Sequence, residues 1–284
     1  MKMMTTKMLL AALAVGLLAL MGCGKDSDVI KIGFNLELTG EASKQGEAAK
    51  FAAELLKEDV NAMGGLDIGG KKHRVEFVYQ DNGNKADNAV EAALKMITQD
   101  KVVAIVGPGS VKSATLAGAA VNDSQVAMVS SGPGSPETTK DRPWIFRACF
   151  AEPTPAPVVM ELAKELAPEQ AAPAPAAQNP VKAPVQDFAE RYAARYKSAP
   201  GETATLTWDA ARLVLQAVQA VGKVEPDIKL ERKLVRDALA ATKGFAAVTA
   251  NMKFIGAGEA GKCAAPLAEV KHEAKPEAKE AAKH

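Results

Sequence analysis

Cysteine, histidine and aromatic residues are scarce in this chain of 284 residues: three Cys, three His, and Phe, Trp and Tyr together 5%. Three cysteines cannot build a disulfide framework. Two of the histidines, His272 and His284, lie in the C-terminal tail, so no Cys/His spacing suits zinc. A Ser-His-Asp or Cys-His arrangement has only His73 to build on, and that residue reads more simply as a surface histidine at a strand start. Few aromatics means few platforms on which single-stranded nucleic acid stacks. An excess of one charge is missing too. Lys and Arg number 35 against 34 Asp and Glu, a net +1, whereas a nucleic-acid binder clusters cations to displace counterions. The adjacent carboxylates Glu58-Asp59 and the nearby Asp26 and Asp28 read as solvated charges. No metal, no cofactor and no enzymatic chemistry is expected.

What is present begins at the N-terminus. Lys2 and Lys7 precede an apolar run from Met8 to Leu20, which is the layout of a secretory signal and too short for a confident membrane span. The run closes on Leu20-Met21-Gly22-Cys23, which resembles the lipobox of bacterial lipoproteins. In that reading residues 1–22 are removed, Cys23 carries the lipid and 23–28 is a polar tether. Several acyl chains hold a membrane where one does not.

Residues 29–152 alternate between strand and helix patterns. Val29–Asn35 reads as a strand and Gly46–Met63 as a helix stopped by Gly64-Gly65. His73–Tyr79 reads as a strand, Ala89–Ile97 as a helix, and Val102–Val106 as a strand covered on both faces. A helix over Ser113–Val121 and strands at Val126–Val129 and Trp144–Ala148 follow. This predicts an α/β fold with a parallel sheet, whose ligands sit at the carboxyl ends of strands. Two loops stand at such ends: Gly107-Pro108-Gly109-Ser110-Val111-Lys112-Ser113 and Ser130-Ser131-Gly132-Pro133-Gly134-Ser135. Their glycines admit a ligand to the backbone and their hydroxyls donate, a pattern suited to a small carboxylate. Tight turns capped by serine would look the same.

The segments VIKIGFNLELTGEASKQG, the Gly64-Gly65-Leu66 turn, VVAIVGP and VAMVSSGPGSPETT resemble the leucine/isoleucine/valine-type periplasmic binding proteins of bacterial ABC importers. The resemblance implies two Rossmann-like lobes that close on an amino acid. It also implies an extracytoplasmic location and delivery to an ABC permease in the inner membrane; the anchor to a bacterial membrane is implied by the lipobox resemblance at Cys23. In such proteins the first lobe holds the α-carboxylate and α-ammonium at the two loops, and the second lobe adds an aromatic residue and an acid. Carried over, the first loop's hydroxyl position falls on Val111 or, with a small shift, on Ser110 or Ser113. The backbone position of the second loop falls on Gly132, and the family's Thr position falls on Gly134, which has no side chain. The implied ligand-binding set is therefore Ser110, Ser113, Gly132, Gly134 and Ser135.

The second half departs from that pattern. Residues 153–185 are a Pro/Ala-rich bridge with one helical piece, Val158–Leu166, and Pro-rich sequence builds no packed core. Resemblance resumes over 186–270, whose helices and late hairpin are expected to complete the first lobe, and 271–284 is a charged tail. The chain thus resembles a family member whose second lobe has been replaced by a bridge. Two functions follow: capture of a branched-chain or related amino acid for an importer, or a one-lobe derivative that binds a partner or is vestigial. Cys149 and Cys263 either pair in the oxidising compartment or stay as buried thiols. Gly256–Gly261 fits G-x-G-x-x-G but reads as a hairpin turn, and the stretch from Gly65 to Lys71 fits a phosphate-loop spacing but reads as a turn, because Lys72 stands where Ser or Thr is needed.

Overall fold

The computed structural model of the chain describes residues 29–132, 135–150, 185–243, 245, 247 and 252–259. The signal, the tether with Cys23, Pro133 and Gly134, most of the bridge, Cys263 and the tail lie outside the described residues.

The chain runs β1 (Val29–Leu36), α1 (Ser43–Ala62), β2 (Leu66–Ile68), β3 (Lys71–Asp81) and α2 (Ala86–Lys95), the last extended by a π-turn at Met96–Asp100. Then come β4 (Ala104–Val106), α3 (Val111–Asp123), β5 (Ala127–Ser130), α4 (Pro136–Thr139) and β6 (Ile145–Phe150). Beyond the bridge lie α5 (Val185–Tyr196), α6 (Glu202–Val221), α7 (Ile228–Ala240) and β7 (Met252–Ile255). One seven-stranded sheet has the order β2-β3-β1-β4-β5-β6-β7. The five central strands are parallel, and the antiparallel β2 and β7 close the two edges.

Each central strand owes its place to apolar content. Ile30, Ile32, Phe34 and Leu36 of β1 are buried, and all of β4 is at 0% exposure, as expected with helices on both faces. On one face α1, α5, α6 and α7 pack around Leu56, Val60, Trp208, Leu213, Val214 and Val235. On the other, α2 and α3 pack around Met96, Val121, Met128 and Ile145. The α1 stripe of Ala49, Ala52, Ala53, Leu56 and Val60 is buried. It recurs at helical spacing, which is why this segment is a helix with one inward face. α5 lies along α1: Tyr192 Oη donates to the Ala48 carbonyl at 3.3 Å, Tyr196 Oη donates to the Phe51 carbonyl at 3.0 Å, and Arg191 pairs with Asp59.

Several expectations need correction. β2 and β3 form an edge hairpin where a turn was expected, and it covers His73, which is 4% exposed and not a surface residue. Asp59 is not a solvated charge either: it is 7% exposed and paired with Arg191 of α5, a segment that is remote in sequence. Helix α1 begins at Ser43, not Gly46, because Gly46 sits inside the helix where it passes the backbone of Glu37. α2 begins three residues before the expected Ala89 and gives way to the π-turn before Ile97. α3 extends over Val111–Asp123 at both ends of the expected helix. The G-x-G-x-x-G run opens with a turn, Glu259 N–H to Gly256 O at 3.1 Å, held by Thr139 Oγ1 donating to Glu259 O at 2.6 Å. No nucleotide-type helix start follows Gly256 among the described residues.

Candidate functional site

In chain order the parallel strands read second, first, third, fourth, fifth across the sheet, so the direction of winding reverses between β1 and β4. In open α/β sheets the crevice at that reversal, beyond the carboxyl ends of the strands, is where ligands bind. Three loops meet there: 37–42 after β1, 107–110 after β4 and 131–135 after β5.

Gly107 opens the middle loop at φ +85°, with its N–H donating to Val129 O at 2.9 Å. A Cβ there would strike the Asn35 carbonyl, so glycine is required on two counts. Ser110 is the N-cap of α3, its Oγ accepting from the Ser113 N–H at 3.3 Å. Ser113 itself is 1% exposed beneath the first helical turn. Val111, the first helical residue, is exposed. With Ser113 N–H capped, the N–H groups of Val111 and Lys112 have no intrahelical acceptor and carry the positive end of the helix dipole.

The third loop folds onto the second. Ser130 Oγ donates to Pro108 O at 2.9 Å in the interior. Gly132 is packed against Gly109 so closely that a Cβ would overlap the Gly109 carbonyl oxygen and stand 2.8 Å from its carbon. Ser135 caps the short helix α4, its Oγ accepting from Glu137 N–H at 3.2 Å. Ser110 and Ser135 therefore both act as caps, and each keeps a hydroxyl proton to donate. Of the expected set, Ser110, Ser113, Gly132 and Ser135 gather at this end of the sheet, whereas Gly134 falls outside the described residues.

Two residues outside the expected binding set complete the site: Glu37, which the sequence reading passes over, and Ser131, which it names only as part of the second loop. Glu37, 4% exposed, places one oxygen (Oε1) on the N–H groups of Gly109 and Ser110, at 3.2 Å each. Burial pushes its carboxyl above the ordinary value of 4.5, while those N–H groups and the Asn82 amide favour the anion. Ser131 is 1% exposed and its hydroxyl has no hydrogen-bond partner. Alongside, Asp81 at the end of β3 accepts from Leu38 N–H at 2.9 Å, Thr39 N–H at 3.1 Å and Gly83 N–H at 2.8 Å, which fixes the β1 loop. The acid at position 37 directly follows an apolar strand and carries no signal of its own in sequence. Only the strand order shows that it spans the reversal from β1 to β4.

Away from the site, Cys149 of β6 is fully buried and disulfide-bonded. Among the described residues no helix is long and apolar enough to cross a membrane, and no cluster of His, Cys, Asp and Glu could hold a metal ion.

Comparison with known proteins places this geometry. The family described as periplasmic binding protein matches residues 29–173. An amino acid binding protein of Pseudomonas aeruginosa is 29% identical over 112 residues, which is 39% of this chain and 29% of that protein, so the chain spans under a third of that relative's length. Among solved structures, the leucine binding protein of Thermotoga maritima has a TM-score of 0.57 at 17% identity, over 77% of this chain and 89% of its own. A branched-chain amino acid transporter substrate binding protein of Streptococcus pneumoniae, in complex with isoleucine, has a TM-score of 0.57 at 19% identity, over 81% and 97%. A putative branched-chain amino acid ABC transporter of Rhodospirillum rubrum has a TM-score of 0.58 at 21% identity, over 78% and 91%. At these identities the structural likeness is one of fold. The family match extends over half of the chain and covers the strand reversal and all three loops: the chain belongs to the periplasmic binding protein family.

Proposed function

We propose that the chain is an extracytoplasmic, lipid-anchored solute-binding protein that captures a branched-chain or related amino acid and delivers it to an ABC permease. The observation that carries this reading is the pair of Gly/Ser loops locked together at the strand reversal, with the start of α3 open beside them. A solute carboxylate placed there meets the unpaired N–H groups of Val111 and Lys112 and the end of the helix dipole, assisted by the hydroxyls of Ser110 and Ser135. Cys23 carries the acyl chains that keep the lobe at the membrane.

The bridge favours a second reading, a one-lobe derivative that has lost capture. Only residues 151–184 separate β6 from α5, fewer than the roughly 50 residues of a small domain. A small ligand is ordinarily enclosed from most sides, and a single wall leaves one face wet. Calorimetry with a panel of amino acids separates the two. Saturable binding of leucine, isoleucine or valine supports capture, and silence across the panel leaves the derivative reading alone.

Cys149 is assigned to Cys263. If Cys23 bears a thioether-linked lipid it cannot enter a disulfide, and Cys263 is then the remaining partner. β6 and β7 are adjacent, with Cys149 opposite Lys253, and Cys263 follows a few residues after β7. Intact mass after alkylation checks both assignments. The mature protein should carry acyl mass on Cys23, take up no alkyl group without reductant, and gain two after reduction.

A further inference from the structure

The opposite end of the sheet holds a cavity that amino-acid capture does not use. The amino ends of β1 and β3, the turn that leads into β4 and the loop from α6 to α7 enclose about 970 Å³ there. The eight residues of β1 set it roughly 25 Å from the Gly/Ser loops. One wall is preformed. Gly69, in the turn between β2 and β3, packs against Gly222 so closely that a Cβ would overlap the Gly222 carbonyl, and Gln219 Nε2 donates to Asp67 O at 3.3 Å. Ile30, Ile68, Val103 and Ile228 make much of the lining apolar.

Against that lining stand charges that the protein leaves unmatched. Glu231 of α7 is 2% exposed; its Oε2 accepts from Glu225 N–H at 2.7 Å, and its Oε1 has no hydrogen-bond partner. Asp100, the last residue of the π-turn, keeps a buried Oδ2 without a partner. Burial pushes the Glu231 carboxyl above its ordinary value of 4.5, and a cation beside it would restore the anion. On the rim, Lys223 is taken by Glu225 at 2.5 Å, whereas Lys31 and Lys101 form no ion pair among the described residues. A buried acceptor without a donor is costly, and a ligand carrying both a cation and an anion would satisfy the two carboxylates and the two lysines at once. No metal-holding cluster exists among the described residues, so the cation that fits is an organic ammonium with N–H groups to donate. Two lysines facing one anion suit a phosphate ester.

We propose that this cavity binds a phosphoethanolamine group, with its ammonium donating to Glu231 and Asp100 and its phosphate held by Lys31 and Lys101. The site does not depend on amino-acid capture at the other end of the sheet. The group has two sources, a free phosphorylated amine and the headgroup of a phospholipid. Val29 lines the cavity six residues after Cys23, a reach of about 20 Å for an extended chain, so a bilayer holding an acylated Cys23 is close enough to supply the headgroup. Only that second source rests on the lipid-anchor reading above.

The mature chain carrying Cys23→Ser, which has no acyl anchor, tests this in two arms. In calorimetry, O-phosphoethanolamine should bind at least about tenfold tighter than ethanolamine or inorganic phosphate alone. In vesicle sedimentation, phosphatidylcholine containing phosphatidylethanolamine should carry down more protein than pure phosphatidylcholine, whose quaternary ammonium has no N–H to donate. A response in the first arm alone assigns the free amine, in the second alone the lipid headgroup, and in both arms the shared group from either source. Glu231→Gln keeps the shape and an acceptor for the Glu225 N–H but not the charge, and it should weaken whichever response is seen by about tenfold or more. Lys101→Ala changes an exposed side chain, so it should weaken the response while leaving the melting temperature unchanged. Silence in both arms, or a response that survives both substitutions, overturns the site. Leucine titrated into the same variants should behave as in the unaltered protein, so a failure of leucine to bind removes the amino-acid reading and leaves this site standing.

Discussion

Replacing Trp208 with Ala should lower stability by about 4 kcal/mol, within the range for deleting a buried aromatic side chain. Trp208 is at 0% exposure in the middle of α6, and it is among the largest fully buried side chains. Its ring lies 4.4 Å from that of Phe188 in α5, so it joins the two helices that follow the bridge. α6 in turn packs along α1 and reaches β4, β5 and β6. A cavity here would sit between the returning helices and the sheet, where neither can collapse without moving the other. For a folded unit of this size each kcal/mol shifts the melting temperature by roughly 2–4 °C, so the variant should melt about 10 °C lower or more. Thermal melts followed by far-UV circular dichroism would read this directly, and Trp144 remains as a separate fluorescent reporter on the other core. A shift of only a degree or two would mean that α5 and α6 are not seated on the sheet in solution.

The placement of α5 and α6 also shows what the sequence could and could not disclose. Continuous apolar runs such as Val102–Val106 announce strands covered on both sides, and the spacing of Ala49, Ala53, Leu56 and Val60 announces an inward helical face. Those signals are local, and the elements they mark are present in the fold. Asp59 looks like a solvent residue because its partner Arg191 lies beyond the bridge, and His73 does because the β2 strand that pairs beside it is only three residues long and reads as a turn. The sequence also sets the start of α1 at Gly46 rather than Ser43. A glycine within a helix reads as a boundary, while here it permits close passage of the Glu37 backbone. At the site, the glycines and serines of the two loops were legible as a cluster. That Ser110 and Ser135 would cap helices, and that Ser113 would lie beneath one, depended on the register of α3 and α4. Glu37 was invisible because an isolated acid carries no periodic signal. Its role comes from the strand order that brings the end of β1 beside the end of β4.

Gly132→Ala should be one of the two most damaging single methyls added at the site, beside Gly107→Ala. The position does not need glycine for its φ, since Gly132 is not among the residues with positive φ. The cost is purely steric: the new methyl would overlap the Gly109 carbonyl oxygen and lie 2.8 Å from the carbonyl carbon and 3.1 Å from the α-carbon. All three atoms are backbone, and the Gly109 N–H is itself held by Glu37, so the obstacle cannot rotate aside as a side chain would. Relief requires the 107–110 and 131–135 loops to part, which breaks the bond from Ser130 Oγ to Pro108 O. Overpacking of this kind costs roughly 2–3 kcal/mol, and the parted loops should lower leucine affinity by more than about tenfold. Gly109→Ala, the same chemical change on the facing residue, should leave the melting temperature nearly unchanged because its nearest contacts are at ordinary van der Waals distance. Melting the two variants side by side therefore tests the contact between the loops rather than glycine content. If both melt with the unaltered protein, Gly132 and Gly109 do not touch in solution, and the loops do not form the single binding surface on which the proposed amino-acid capture depends.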